Sequence, residues 1–177
     1  MDNKRIRSAP LSDNLELLGD GLSFRDNLCS MLEQAKCFDD FPHAGIEALA
    51  RHMKAYRVPG GATIFREGER NSYLCVLIEG RVNVYKEDGS GANKLLTTIR
   101  PGSIFGEISL IDDFPYSASV TAVTEARIML MSRENFRKCI DDDPVLGVRL
   151  LRLIARILSA RLRATSGQLV DYILAPA

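Results

Sequence analysis

Neither sign of charge is in excess: 23 Lys and Arg stand against 23 Asp and Glu, a formal net charge of zero. A neutral chain sets up no global field toward nucleic acid or anionic lipid, so direct nucleic-acid binding is not expected. Long apolar runs are also lacking. No uncharged apolar stretch approaches the roughly 18 to 20 residues that cross a bilayer. The charged start Met1-Asp2-Asn3-Lys4-Arg5-Ile6-Arg7 has no apolar segment behind it. The expected location is the cytoplasm, with no membrane partner. Cysteine is sparse: Cys29, Cys37, Cys75 and Cys139 are scattered without a CxxC, which argues against a zinc knuckle or a redox pair and for reduced, mostly buried thiols. The two histidines, His43 and His52, both precede the β-rich region, so they cannot form the strand-borne cluster of a metal-dependent jelly-roll enzyme. Also missing are a GxSxG elbow, a GxxxxGK[ST] loop, a GxGxxG turn and an HExxH helix. No enzyme, metal or cofactor is expected.

What is there is a chain of 177 residues, 46% hydrophobic and 26% charged, enough to build one core plus an appendage. Residues 1–23 mix charges, Ser, Asn and glycines without a sustained period and read as a flexible leader. Leu28, Met31, Leu32 and Ala35 follow helical spacing, as do Ile46, Leu49, Ala50 and Met53. After Pro59-Gly60-Gly61 come short runs rich in Ile, Val, Thr, Tyr and Phe, with strands expected at 62–66, 73–79, 81–87, 94–99, 117–123 and 126–131. Turns fall at Glu79-Gly80, Asp88-Gly89-Ser90-Gly91 and Pro101-Gly102. Evenly spaced antiparallel strands of this kind suggest a sandwich or jelly roll. Ser132 caps a short helix, and Asp143-Pro144 opens a long one running to Leu174, with Asp as N-cap and Pro at the first helical position. The body of the domain is thus residues 24–143, and 144–177 a separate long helix.

That helix carries two apolar stripes. Leu146, Leu150, Leu153 and Ile157 form one; Leu151, Ile154, Leu158, then Leu162 or Thr165, Leu169 and Ile173 form the other, about 100° around. Together they exceed the arc that one packing face needs. The helix either sinks into its own core or packs on its own domain with one stripe and on a second copy of the chain with the other, making a homodimer. Arg149, Arg152, Arg156 and Arg163 line the opposite side as a solvated basic stripe.

The segment Phe105-Gly106-Glu107-Ile108-Ser109-Leu110, followed by Asp112-Asp113-Phe114-Pro115-Tyr116-Ser117-Ala118-Ser119-Val120, carries the chemistry. A glycine lets the backbone turn tightly into a short helix whose free amides near Glu107 to Leu110 converge, while Glu107 offers a carboxylate to a neighbouring hydroxyl. An anion with a hydroxyl beside it has the profile of a sugar phosphate.

With Gly61-x-x-Ile64-Phe65-x-Glu67-Gly68, Leu74-x-Val76-Leu77-x-x-Gly80-x-Val82-x-Val84, Pro101-Gly102-x-x-Phe105-Gly106-Glu107 and Asp143-Pro144 before a long helix, the chain from about Phe41 to Leu162 resembles the cyclic-nucleotide-binding domain of the catabolite-activator and kinase-regulatory type. The resemblance implies an α+β fold, an antiparallel β-roll (a double-stranded, jelly-roll-like β-helix) of eight strands with N-terminal helices and a long C-terminal helix. It implies a binding cassette over Phe105 to Val120, with Glu107 on the ribose 2′-hydroxyl and Ser117 near the phosphate or base. Tyr116 and Ala118 belong to that cassette, and Leu151, Ile154, Leu158, Arg161 and Leu162 to the lid and dimer helix. The ligand would be cyclic AMP, cyclic GMP or a similar small anion, acting through movement of the long helix.

Two departures open an alternative. Tyr116 stands where the family carries the arginine that pairs with the cyclic phosphate, and Arg161 or Arg163 would have to substitute. The chain also ends at Ala177 without the helix-turn-helix of transcription factors that carry this domain, so its output is expected to pass to a separate effector protein. The alternative is a protein-interaction or dimerisation module that binds no nucleotide.

Overall fold

The computed structural model describes residues 15–20 and 24–174, with side chains in the last helix through Val170. Its elements, in order, are β1 (Glu16–Asp20), α1 (Arg25–Glu33), a 3-10 turn (Lys36–Phe38), α2 (His43–Ala50), β2 (Lys54–Val58), β3 (Thr63–Phe65), β4 (Tyr73–Glu79), β5 (Val82–Glu87), β6 (Asn93–Ile99), β7 (Ile104–Phe105), α3 (Glu107–Asp112), β8 (Ser119–Ala122), β9 (Ala126–Ser132), α4 (Arg133–Asp142) and α5 (Pro144–Leu174). Two antiparallel sheets, ordered β1-β2-β9-β4-β7 and β3-β8-β5-β6, make the expected α+β roll.

β4 and β9 fix the layering because both of their faces are buried. Along β4, Leu74, Val76 and Ile78 point toward the helices, whereas Cys75 and Leu77 point into the roll; along β9, Met129 and Met131 alternate with Ile128 and Leu130 in the same way. A strand covered on both faces needs no polar alternation, which accounts for the unbroken run Leu74-Cys75-Val76-Leu77-Ile78. The helical side of this wall holds Leu28, Leu32, Ile46, Leu49, Phe136, Leu146, Leu150 and Ile154. Within the roll, Phe65, Phe105 and Tyr116 close one end of the core.

Sequence reasoning missed three strands. β1 falls within residues assigned to the leader: Glu16–Asp20 adds an edge strand to β2, with Arg57 donating to Glu16 at 3.1 Å and a register shift between Leu17 and Gly19. Its Leu-rich, bulged sequence has little intrinsic strand character, and the pairing comes from the neighbouring edge. Residues 1–14 and 21–23 of the leader lie outside the described residues. β2 was obscured by the helical apolar spacing that ends at Met53, and β7 has two residues. The long helix, by contrast, begins where its signals put it: Asp143 Oδ1 accepts from Leu146 N at 2.9 Å, and Ser132 Oγ caps α4 by accepting from Asn135 N at 3.2 Å. The four cysteines are free, and burial pushes Cys37 up to about 12 and Cys139 up to about 11, which keeps these two protonated at neutral pH.

α5 is corrected in one respect. Ile154, assigned to the second stripe, is 2% exposed and packs inside this chain's own core beside Leu150 and Leu153. Leu158 is half-buried against the same cluster, whereas Leu151 and Leu162 are exposed, and Ile173 lies beyond the described side chains. From Ser159 to Val170 every residue is exposed, so the helix outruns the domain beneath it. Ile154→Glu should therefore unfold the monomer rather than dissociate a dimer. It loses the transfer and packing energy of a core aliphatic, about 2–5 kcal/mol, and adds the cost of a buried charge. Chemical denaturation followed by circular dichroism reads this loss, and a variant as stable as the parent would contradict the placement.

Candidate ligand-binding site

α3 is created by a backbone that only glycine accommodates well. Gly106, its N-cap, sits at φ +77°, and a Cβ there would lie 2.5 Å from the Tyr73 carbonyl oxygen and 2.9 Å from the Phe65 ring. This close approach brings α3 down onto β4. Arg133 holds it there, donating to Ser72 Oγ at 2.6 Å and to the Ser109 carbonyl while pairing with Asp113; Ser72 Oγ donates to the same carbonyl at 3.0 Å.

Between α3, the open end of the roll and the overhanging half of α5 lies a cavity of about 700 Å³. Phe105, Gly106, Glu107, Ile108 and Ser109 wall it from the cassette, Tyr116, Ser117 and Ala118 from the following loop, and Arg161, Ala164, Thr165 and Gln168 from the helix. Of the cassette residues singled out in the sequence, Leu110 does not reach it: it is 5% exposed and packs into the core under the helices. Leu151, Ile154, Leu158 and Leu162 are not in its wall either.

Glu107 dominates the cavity's electrostatics. Its side chain is fully buried, and its Oε1 accepts from Arg161 Nη1, while Arg161 Nη2 donates to the Ile104 carbonyl. Its Oε2 is buried with no partner among the described residues. Burial raises the Glu107 pKa above the ordinary carboxylate range, against the opposing pull of the Arg161 charge and its hydrogen bonds. Arg161 thus reaches in as the sequence suggested for Arg161 or Arg163. It meets a protein carboxylate there, and Arg163 faces a separate groove with Asp40, Arg149, Arg152 and Arg156.

Tyr116 is 5% exposed and built into the floor. Its ring stacks on Phe65 at 4.3 Å and 20°, its hydroxyl accepts from the Tyr73 backbone N at 3.2 Å, and its backbone exchanges bonds with Glu69 and Gly68. Burial raises its pKa, so the hydroxyl stays protonated. Sequence reasoning missed the wall opposite: Leu96, Thr97, Thr98, Ile99 and Arg100 at the end of β6, with Val84 beside them and Ser103 beyond the turn. The signal was present in Leu95 and Leu96, two apolar residues in succession on an edge strand, both more than half exposed.

The sequence profile of the cyclic nucleotide-binding domain matches residues 56–143, which include β3 to β9 and the cassette. Residues 56–143 belong to that family. The chain is 36% identical over 143 residues to a CRP-like cAMP-activated global transcriptional regulator of Mycobacterium tuberculosis, covering 81% of this chain and 62% of that protein. It is 33% identical over 90 residues to a cAMP-dependent protein kinase regulatory subunit of Aspergillus fumigatus, covering 51% of this chain and 21% of that one. The chain therefore spans less than two thirds of the curated relatives it matches. A crystal structure of a cyclic nucleotide-binding domain from Methylobacillus flagellatus superposes with a TM-score of 0.79 at 26% identity, over 92% of both chains. These relatives are regulators, and the family is one of regulatory domains.

Glu107 makes a pH prediction. Because its folded pKa lies above the unfolded value, its favourable contribution is complete below the unfolded pKa and is lost as pH rises through the folded one. Replacing it by Gln, which cannot ionise, should shift relative stability in the variant's favour as pH rises from about 4.5 to about 7. Urea melts of both proteins across that range check the slope; a parallel pH dependence would contradict the assignment.

Proposed function

We propose that this chain is a non-enzymatic regulatory module whose cavity binds a nucleotide-type ligand through its ribose and whose α5 reports occupancy. The observation that carries the reading is the Glu107 carboxylate, fully buried, with Oε2 unpartnered among the described residues, in the wall of a cavity large enough for such a ligand. A buried acceptor without a donor is costly, and a ligand hydroxyl is the group that relieves it. Cyclic AMP and cyclic GMP, the ligands that give the family its name, are the reference compounds. The coupling is a population shift: a ligand held between the cassette and α5 adds contacts across the cavity that Arg161 already bridges, and favours one position of the exposed half of α5. A ligand at 100 times its dissociation constant should stabilise the fold by about 2.7 kcal/mol. Glu107→Ala should weaken a ribose-bearing ligand by about 1.5–3 kcal/mol, one to two decades of affinity, read by calorimetry. Unchanged affinity in the variant would remove Glu107 from the site.

Tyr116 favours a second reading, an interaction module without nucleotide, since a stacked, uncharged ring stands at the sequence position where the family carries arginine. Both readings place a second copy of the chain on α5. With Ile154 removed from the seam, Val148, Leu151, Ala155, Leu158, Leu162, Thr165 and Leu169 follow at alternating spacings of three and four, the repeat of a two-helix seam. Val148, Leu151, Leu162 and Leu169 are 40–69% exposed. The double substitution Leu151→Glu and Leu162→Glu should leave the fold intact and yield a monomer near 20 kDa by light scattering, against a parent of twice that mass. A monomeric parent at micromolar concentration would overturn the seam.

A further inference from the structure

The cavity is rich in features for a sugar and an apolar ring, and poor in features for a phosphate. Among the described residues, three charged ones line it: Glu107, Arg161 and Arg100. Arg161 is spent on Glu107 and the Ile104 carbonyl, and Arg100 is an exposed residue of the β6–β7 turn, where its charge is solvated and screened. In the floor, the Tyr116 hydroxyl accepts from the Tyr73 amide and has one neutral donor to offer, no charge. Lys86 donates to the Ser117 carbonyl at 2.9 Å and is paired with Glu67. Among the described residues, an anion on this floor would therefore meet no free cation but the solvated Arg100, and would sit in the same cavity as a buried carboxylate. A neutral ligand faces no such repulsion.

We propose that the cavity takes an uncharged ribonucleoside in preference to its cyclic phosphate: the ribose 2′-hydroxyl donates to Glu107 Oε2 and the base lies against the apolar wall of Val84, Leu96 and Ile99. This rests on the reading that the cavity is a ribose-binding site, and adds to it that the site has no use for the phosphate. Two independent observations converge, the unpartnered buried oxygen of Glu107, which calls for a hydroxyl donor, and the stacked, hydrogen-bonded Tyr116, which closes the floor without a charge.

The test is calorimetric titration of the unmodified chain with adenosine, guanosine, cytidine and uridine, the matching 2′-deoxynucleosides, and cyclic AMP and cyclic GMP. The expected result is that adenosine or guanosine binds at least tenfold more tightly than its own 3′,5′-cyclic phosphate, and that the matching 2′-deoxynucleoside binds at least tenfold more weakly. The folded Tyr116→Arg variant should reverse the order, gaining at least tenfold for the cyclic phosphate and nothing for the nucleoside. A cyclic nucleotide that binds the unmodified protein as tightly as its nucleoside overturns the inference and leaves the ribose site standing. Equal binding of ribo- and deoxynucleosides removes Glu107 from recognition and overturns both. Absence of binding by all ten compounds also overturns both, and puts the interaction-module reading in front. If Tyr116→Arg does not fold, the titrations of the unmodified chain decide alone.

Discussion

Glu107 and Arg161 form the bond on which the functional geometry depends. A fully buried carboxylate survives in an apolar setting only if a counter-charge is brought to it, and here that charge comes from a helix whose neighbouring residues are all in solvent. The cassette and α5 are thereby tied across the cavity through a single side chain. Arg161 is a fitting choice for this: its planar fork donates at once to Glu107 and to the Ile104 carbonyl, which a lysine could not do with the same fixed geometry. The cost of burying Glu107 is offset in part by this partner, and the remainder is visible in its raised pKa and unpartnered Oε2.

The fold was legible in the sequence wherever one local rule acted alone. The Asp143-Pro144 start of α5, the Ser132 cap of α4 and the strands from Thr63 to Ile99 and from Ser119 to Ser132 followed from caps, turns and β-rich runs. What stayed hidden was set by tertiary pairing. β1 is a strand because β2 offers it an open edge, and β7 is a strand because Gly106 must be delivered to the Tyr73 carbonyl. Of the cavity, the cassette wall was readable because it is contiguous in sequence. The β6 wall was not, because Thr97 and Thr98 become site residues only through the position of the roll's open end.

Ile154 shows how helical periodicity misleads at a boundary between two packing faces. It lies about 100° from Leu153, far enough to suggest a second stripe, yet the domain wraps α5 widely enough there to bury both. A few residues further on the domain ends, and the same angular position becomes solvent. The apolar arc of a helix therefore has to be judged against the length of the body beneath it as well as against its width.

That change along α5 divides the helix into two mechanically different halves. Leu146, Leu150, Leu153 and Ile154 anchor the first half in the core, so it can move only with the whole helical layer. The second half, from Ser159 onward, is exposed on every side and is drawn to the domain at Arg161. A ligand hydroxyl arriving at Glu107 would act on that one attachment, and the division at Leu158 and Ser159 confines the response to the outer half. The exposed leucines of the proposed seam fall on both sides of this division, Leu151 before it and Leu162 and Leu169 after it. Under the proposed reading, occupancy of the cavity would reach a second copy of the chain through the outer part of the seam, while the inner part holds the two copies together.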